Sequence, residues 1–264
     1  MKRMREISAY WTQEDAQFLS GHRIKVNVGF TRFYIAEDDV YFAIRDHFKS
    51  IRKERFQDIF YYEYSKEDIE SADYCILRGC NCCGYPQPEI DFKYLSVSFD
   101  ADKICPKCGC GRIQTGNLRV NKVSKYGFWS YSAWLDDEFF VSKEIYDEVF
   151  APYGIQKREV IKGGKILENI FQLVIPMIDE SIDLSDREPD KCPVCGEVKY
   201  TPQDFRFPFF PLHKHPLPGI YKSKEYFGYC YDAFHQIFIC KEIVQKLLKS
   251  KDLRMYWLIP CRRE

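Results

Sequence analysis

The sequence has no net charge, because 39 lysine and arginine residues are balanced by 39 aspartate and glutamate residues. A neutral chain has no overall field that attracts phosphates, which disfavours a dedicated nucleic-acid-binding protein. The sequence also lacks any run of about 18 apolar residues, the length that a membrane-spanning helix needs. Its opening residues, MKRMREISAYW, include basic residues but no apolar segment of a secretory signal. We therefore expect a cytoplasmic protein that makes no use of a membrane.

Histidine is scarce, and among the five histidines only His213 and His215 lie close together. A His-x-His pair can supply two metal ligands, but this one lies in a proline-rich segment, which is more typical of an ordered surface loop. The sequence contains no glycine-rich phosphate loop, dinucleotide fingerprint, nucleophile elbow or zinc-protease motif. These absences predict a protein that is not an enzyme, and no catalytic residue is assigned.

Cysteine, by contrast, is abundant, with 12 residues. Cytoplasmic thiols stay mostly reduced, so paired cysteines there indicate metal or redox chemistry rather than a disulfide framework. One pattern occurs twice, as CPKCG at 105–109 and CPVCG at 192–196, which we call the first and the second knuckle. In such a turn two thiolates converge on one point, and the closing glycine suits a positive φ. Two knuckles together supply the four thiolates of a closed structural zinc site.

Redox chemistry is the alternative for a single CxxC turn. A redox pair favours a helix that begins directly after a strand. The residues after Gly109, CGRIQTGNLRV, instead predict a β-hairpin that turns at Gly116–Asn117. The sequence therefore favours a metal, with Zn²⁺ as a structural cofactor.

A third CxxCG pattern, CNCCG at 80–84, complicates the choice of ligands. Its cysteines, Cys80 and Cys83, are separated from the first knuckle by a spacing close to that of a compact zinc ribbon. A local site would therefore combine them with the first knuckle and leave the second knuckle without a partner. Distance along the chain decides little, because the entropy of loop closure grows only logarithmically with loop length.

An internal duplication favours the more distant pairing. Three sequence blocks recur in the same order: DKICPKCG (102–109) with DKCPVCG (190–196), DEFFVSKEIYDEVF (137–150) with HQIFICKEIVQKLL (235–248), and FQLVIP (171–176) with MYWLIP (255–260). Two equivalent units would place their knuckles face to face around one metal ion. The predicted ligands are therefore Cys105, Cys108, Cys192 and Cys195. Cys80 and Cys83 remain the alternative first pair, or part of a second metal site.

The other cysteines have simpler interpretations. Four of them lie beside aromatic or apolar residues and are predicted to be small core residues: Cys75, Cys230, Cys240 and Cys261. Cys82 and Cys110 adjoin knuckles, as bystanders or exchange ligands.

The fold class predicted is α+β. Each repeat contains a knuckle, β-strands, an apolar strand, a helix and a closing strand, so the predicted repeat units are 101–180 and 181–264. Residues 1–100 form an N-terminal α/β segment, with a strand near Lys25–Ile35 and a helix near Asp39–Ile51.

The two CPxCG turns, each followed by a strand and by SKEI or CKEI at a helix start, resemble the bacterial double-CXXCG-motif family. The resemblance covers roughly residues 100–264; CNCCG is an additional knuckle, and about the first 75 residues have no counterpart. Some members of that family are regarded as immunity proteins, which protect a cell from toxins exchanged between neighbouring bacteria. The resemblance implies a cytoplasmic, non-catalytic protein that binds one toxin, with its cysteines as scaffold. The family motif marks no toxin-binding residues.

A zinc ribbon that binds nucleic acid is the alternative function. Such a protein could stack bases on the aromatic side chains of KYGFWSYSAW: Tyr126, Phe128, Trp129, Tyr131 and Trp134. Stacking surfaces normally carry interleaved basic residues, whereas this run is followed by three acidic ones. A protein core or a protein-binding surface is the preferred interpretation.

Overall fold

A computed structural model describes most of the chain as two compact units. The first unit is Met1–Asp68, and the second comprises the described residues from Ile69 onward. Neither predicted boundary, at 100/101 or 180/181, coincides with this division. The residues outside the description are Arg52, Glu54, Glu180, Asp186, 203–209, 212–217 and 263–264, and Phe210, Pro211 and Arg262 are described by their backbone alone. His213 and His215 therefore lie outside the described residues.

The first unit is an antiparallel sheet covered by two helices. Its elements are β1 (Lys2–Trp11), α1 (Gln13–Gly21), β2 (Gly29–Ala36), α2 (Asp39–Ser50) and β3 (Gln57–Glu63). The strand order is β2-β1-β3. The strand predicted near Lys25–Ile35 and the helix predicted near Asp39–Ile51 are present as β2 and α2.

Alternation along β1 defines the core of this unit. Ile7, Ala9 and Trp11 are fully buried on one face of the sheet, where they pack with Phe48 of α2. Such a period of two is the pattern of a strand with one buried face. Thr12 then ends the strand and begins α1 through a capping box, which satisfies backbone donors at the helix start.

The second unit contains both mixed and antiparallel sheets. Its helices and strands, in chain order and starting with the helix that crosses the unit boundary, are α3 (Lys66–Ser71), β4 (Tyr74–Leu77), α4 (Tyr94–Ser98), β5 (Phe128–Ser130), β6 (Phe139–Ser142), α5 (Lys143–Ile145), β7 (Gln156–Lys162), β8 (Lys165–Val174), β9 (Asp190–Lys191), β10 (Val198–Tyr200), β11 (Phe210–Pro211), β12 (Ile220–Phe227), β13 (Phe234–Cys240), α6 (Lys241–Lys249) and β14 (Leu258–Arg262). One sheet has the order β5-β6-β8-β7, and the other has the order β11-β14-β4-β13-β12-β10-β9. The α+β class is confirmed.

The two repeated blocks fold alike up to the start of their helices. In each, an antiparallel strand pair, β5–β6 or β12–β13, leads directly into a helix. Ser142 and Cys240 occupy the same N-cap position with nearly the same backbone angles, and the Ser142 hydroxyl accepts the Ile145 N–H at 3.3 Å. The closing strands differ: β8 pairs with β6, whereas β14 is separated from β13 by β4.

The segment after the first knuckle is not the predicted hairpin. Its residues form isolated bridges with distant parts of the chain, Gln114 with Phe99 and Val120 with Pro86. Leu118 and Val120 are buried in the core of the second unit, which also includes Trp129 and Phe140. Tertiary packing therefore determines the conformation of this segment, and the turn residues Gly116–Asn117 do not bring two strands together.

Candidate metal centre

The first knuckle forms a tight turn closed by backbone hydrogen bonds. Gly109 N–H donates to the Cys105 carbonyl at 2.9 Å, and Cys105 N–H donates to the Cys110 carbonyl at 2.9 Å. Gly109 has a φ of +76°, in the left-handed region that favours glycine. This geometry turns the side chains of Cys105 and Cys108 toward the same point.

The second knuckle has the same geometry at the tip of the β9–β10 hairpin. Gly196 N–H donates to the Cys192 carbonyl at 3.0 Å, and Cys192 N–H donates to the Glu197 carbonyl at 2.8 Å. The φ of Gly196 is +77°. The two CPxCG segments thus adopt one turn conformation in two different places in the fold.

The structure brings the four predicted ligands together. The Sγ atoms of Cys105, Cys108, Cys192 and Cys195 all lie within 4.8 Å of one another. The Cys105–Cys192 Sγ distance is 3.8 Å, and the Cys108–Cys195 distance is 3.5 Å. A tetrahedral site with metal–sulfur bonds of about 2.3 Å has sulfur–sulfur edges of about 3.8 Å. The four thiols could therefore hold a metal ion with little movement.

Backbone donors prepare these thiols for a cation. Burial raises the pKa of Cys105, but the N–H groups of Lys107 and Cys108 outweigh it and lower the pKa to about 6. The N–H groups of Cys195 and Val194 lower the pKa of Cys192 in the same way.

The second cysteine of each knuckle behaves oppositely. Burial raises the pKa of Cys108 to about 12. For Cys195, the Glu197 N–H lowers the pKa, but burial and the neighbouring thiols raise it to about 12. Four sulfurs this close cannot all ionise alone, and a bound cation would remove that conflict.

A buried lysine lies beside the first knuckle. Lys199, on β10, is 2% exposed, and its Nζ donates to the carbonyls of Cys108 at 3.3 Å, Asp232 at 3.0 Å and Cys230. These hydrogen bonds fix the 230–232 loop against the first knuckle. Sequence reasoning missed this residue, because a lysine in a short strand after a knuckle gives no signal that distinguishes it from an exposed one.

Cys80 and Cys83 do not join the four-thiol group. Within the described part of the chain, that group is the only close cluster of three or more cysteine, histidine or acidic side chains. The CNCCG turn instead packs along β5: Cys83 N–H donates to the Ser130 carbonyl, and Ser130 N–H donates to the Cys80 carbonyl. Buried Asn81 donates from Nδ2 to the carbonyls of Phe128 and Asp252. This third turn therefore has a visible structural role.

Most of the remaining cysteines lie where they were predicted. Cys75, Cys240 and Cys261 are buried, but Cys230 is exposed, so its assignment to the core is wrong. Cys230 has a φ of +49°, which is typical of a turn rather than of a buried strand, and its carbonyl accepts a hydrogen bond from Lys199.

No protein-family model matches the chain, and no curated protein matches it. Among the described residues, no helix is both long enough and apolar enough to span a bilayer.

Proposed function

We propose that this chain is a non-catalytic, zinc-stabilised protein-binding module, and that it acts in the cytoplasm as an immunity protein that binds and neutralises a bacterial toxin. One observation carries the proposal: four thiols from two matching turns, far apart in the sequence, meet within 4.8 Å. The donor set consists of sulfur alone, which suits Zn²⁺. Four protein ligands leave no open coordination position, so the site is suited to structure rather than catalysis.

The proposed duplication is supported by contacts between the repeats as well as by their matching turns. The four-thiol group joins the knuckle of one repeat to that of the other. The helical segments also meet, because Lys246 of α6 donates to the Glu148 carbonyl at 3.1 Å. We propose that one ancestral knuckle–strand–helix unit was duplicated, and that β4 and β7 then altered the sheet around each copy.

Binding to a protein is supported by exposed apolar side chains in the first unit. Tyr10, Phe30 and Tyr34 are each more than half exposed, and Tyr10 lies directly opposite Phe30 across β1 and β2. An apolar patch on an open sheet face is typical of a surface that binds another protein. The aromatic run offered for nucleic-acid stacking, by contrast, is largely buried: Phe128, Trp129 and Tyr131 are at most 2% exposed.

The immunity role draws on the resemblance to the double-CXXCG-motif family and is tested directly by co-expression. The full chain should be expressed with the product of a neighbouring toxin gene in a sensitive host. We expect growth to be restored and a stable complex to be purified. An inactive toxin variant is the control for binding without toxicity. Toxicity that persists, with no complex, would rule the immunity role out.

A further inference from the structure

The second unit contains an open recess of about 490 Å³ beside the first knuckle. Aromatic side chains form much of its lining: Phe92, Tyr94, Trp134 and Tyr231. Phe92 is 49% exposed and Tyr231 is 45% exposed, whereas Tyr94 is buried. The recess is therefore a concave aromatic surface that solvent reaches, and the metal centre described above does not use it.

The rings on one side of this recess are packed into a defined arrangement. Trp134 stacks on Tyr94 with an interplanar angle of 6° at 6.1 Å, and Phe92 meets Trp134 edge-on at 5.3 Å. The orientations of these rings are thus fixed by contacts with one another. A cation over such a face is attracted by the ring quadrupole.

Unfavourable backbone conformations are concentrated around the recess. In the described chain, eight residues other than glycine have a positive φ. Four of them line or adjoin the recess: Asp91, Phe92, Trp134 and Cys230. Clusters of such residues are characteristic of functional sites.

The recess carries two carboxylates that have no hydrogen-bond or ion-pair partner among the described residues. Asp136 and Asp232 both line it, and within the described chain neither carboxylate accepts a hydrogen bond or forms an ion pair. Arg112 lies at the floor, but it donates to Asp137 at 2.8 Å and to the Trp134 carbonyl at 3.2 Å.

The electrostatic surroundings of Asp136 and Asp232 favour the binding of a cation. Both residues are exposed, but partial burial of their carboxyl groups raises the pKa of Asp136 and of Asp232. The charge of Asp137 raises the pKa of Asp136 further, and the charges of Asp136 and Asp137 do so for Asp232. Arg112 and Arg78 offset part of this effect at Asp136, and Arg112 and Lys199 offset part of it at Asp232. A cation between the carboxylates would relieve their repulsion.

We infer that this recess binds the side chain of an arginine from the protein partner, with the guanidinium between Asp136 and Asp232 and its flat face on the aromatic wall. A guanidinium matches the site better than an ammonium does, because it is planar, stacks on rings and donates to two acceptors. The inference deepens the proposed protein-binding function and rests on it for the identity of the occupant.

The test uses a probe in place of the partner. The full-length, metal-loaded protein is labelled with 5-fluorotryptophan, and the Trp134 resonance is assigned from Trp134→Phe. N-acetyl-arginine methylamide is then titrated against N-acetyl-citrulline methylamide, its neutral isostere. We expect a saturable shift of the Trp134 resonance, with a Kd on the order of millimolar, and at least tenfold weaker binding of the citrulline compound.

Two matched double variants distinguish the effect of the recess carboxylates from the effect of the protein's net charge. Asp136→Asn with Asp232→Asn should weaken arginine binding at least tenfold. Glu168→Gln with Glu188→Gln removes the same charge at exposed sites outside the recess and should bind like the parent. Equal binding of both probes, no saturable shift, or full binding by the recess variant would each overturn the inference. The comparison of probes needs no variant, so a misfolded variant does not weaken it. Because no toxin is present, failure of the immunity role would leave this result unchanged.

Discussion

Around Gly109 the second unit is closely packed, whereas around Gly196 it is open. A Cβ atom added to Gly109 would lie 2.1 Å from the Tyr231 carbonyl oxygen, but one added to Gly196 would have no neighbour within 4 Å. The second knuckle also contains the one exposed thiol of the four: Cys105, Cys108 and Cys192 are buried, whereas Cys195 is exposed. Val194, between the cysteines of the second knuckle, is 63% exposed.

This comparison separates what the CPxCG sequence determines from what its surroundings determine. Both knuckles have the same hydrogen bonds and the same glycine conformation, so the five residues specify the turn. The first knuckle is also tied to the fold by Lys199, which donates to the Cys108 carbonyl, and by Tyr226, whose hydroxyl accepts the Gly111 N–H at 3.2 Å. The first knuckle is thus part of the core, and the second adds its thiols from a surface hairpin.

Loss of the metal should have the largest effect, and it should be equally large from either knuckle. Structural zinc supplies apparent binding energies of about 10–16 kcal/mol in small domains. We therefore expect Cys105→Ser and Cys192→Ser each to abolish zinc binding, measured by elemental analysis, and to lower the thermal midpoint by more than about 10 °C.

Cys83→Ser is the matched control, because it removes a CxxCG cysteine that lies outside the four-thiol group. It should keep one zinc ion per chain. Loss of zinc from this variant, with zinc retained in Cys192→Ser, would instead support the alternative pair Cys80 and Cys83.

The next largest effect on the free energy of unfolding should differ between the two faces of the β9–β10 hairpin. Lys199→Met would leave three carbonyl groups without their buried donor, at about 1 kcal/mol each, so we expect a loss of about 3 kcal/mol in the free energy of unfolding. Lys191→Met, at an exposed position on β9, should change it by less than about 0.5 kcal/mol. Urea unfolding of the metal-loaded proteins measures both. Similar values for the two variants would show that Lys199 does not anchor the first knuckle.

The sequence was sufficient for those features that depend on few residues. The turn conformation, the helix at Asp39–Ser50 and the strand–helix starts at Ser142 and Cys240 follow from local patterns, and the four-cysteine group follows from the duplication. The duplication was informative because matching sequence blocks relate two distant segments to each other, and this match is visible without knowledge of the residues that surround them in the fold.

Features that depend on distant partners were not predictable in this way. The CNCCG turn has the same pattern as a zinc knuckle, but Asn81 forms hydrogen bonds with Phe128 and Asp252, far away in the sequence. The hairpin predicted at Gly116–Asn117 failed because Val120 pairs with Pro86 and Leu118 enters the core. The place of β4 between β13 and β14 could not be read from either repeat alone, since β4 precedes both.

Alanine substitution of the two knuckle glycines tests the difference in packing directly. Each variant must hold a residue with a Cβ atom at positive φ, which costs about 1–2 kcal/mol. At Gly109 the contact with the Tyr231 carbonyl adds about 1–3 kcal/mol, because backbone on the facing loop must move. We therefore expect Gly109→Ala to be less stable than Gly196→Ala by that amount, as measured by urea unfolding with zinc bound. Equal losses would show that the two sites are equally open in solution.

The smallest expected effect is a pH-dependent change in the free energy of unfolding, and it concerns the surroundings of the first knuckle only. Partial burial of the Asp232 carboxyl group, with the charges of Asp136 and Asp137, raises the pKa of Asp232 to about 6, above the unfolded value of about 3.9. Between these values the folded chain holds the proton more strongly, so the contribution of Asp232 to stability falls as the pH rises from about 4 to 6. Asp232→Asn should therefore be more stable than the parent above pH 6, by about 1 kcal/mol after screening at this exposed site, and the gain should vanish near pH 4.

The difference between variant and parent is the quantity to measure by urea unfolding, because acid also releases zinc from both. Glu197→Gln, beside the open second knuckle, controls for the loss of one carboxylate. A gain that is the same at every pH would contradict the titration of Asp232, whereas a pH-dependent gain accompanied by weaker arginine binding would mean that this carboxylate serves the recess at a cost to the fold.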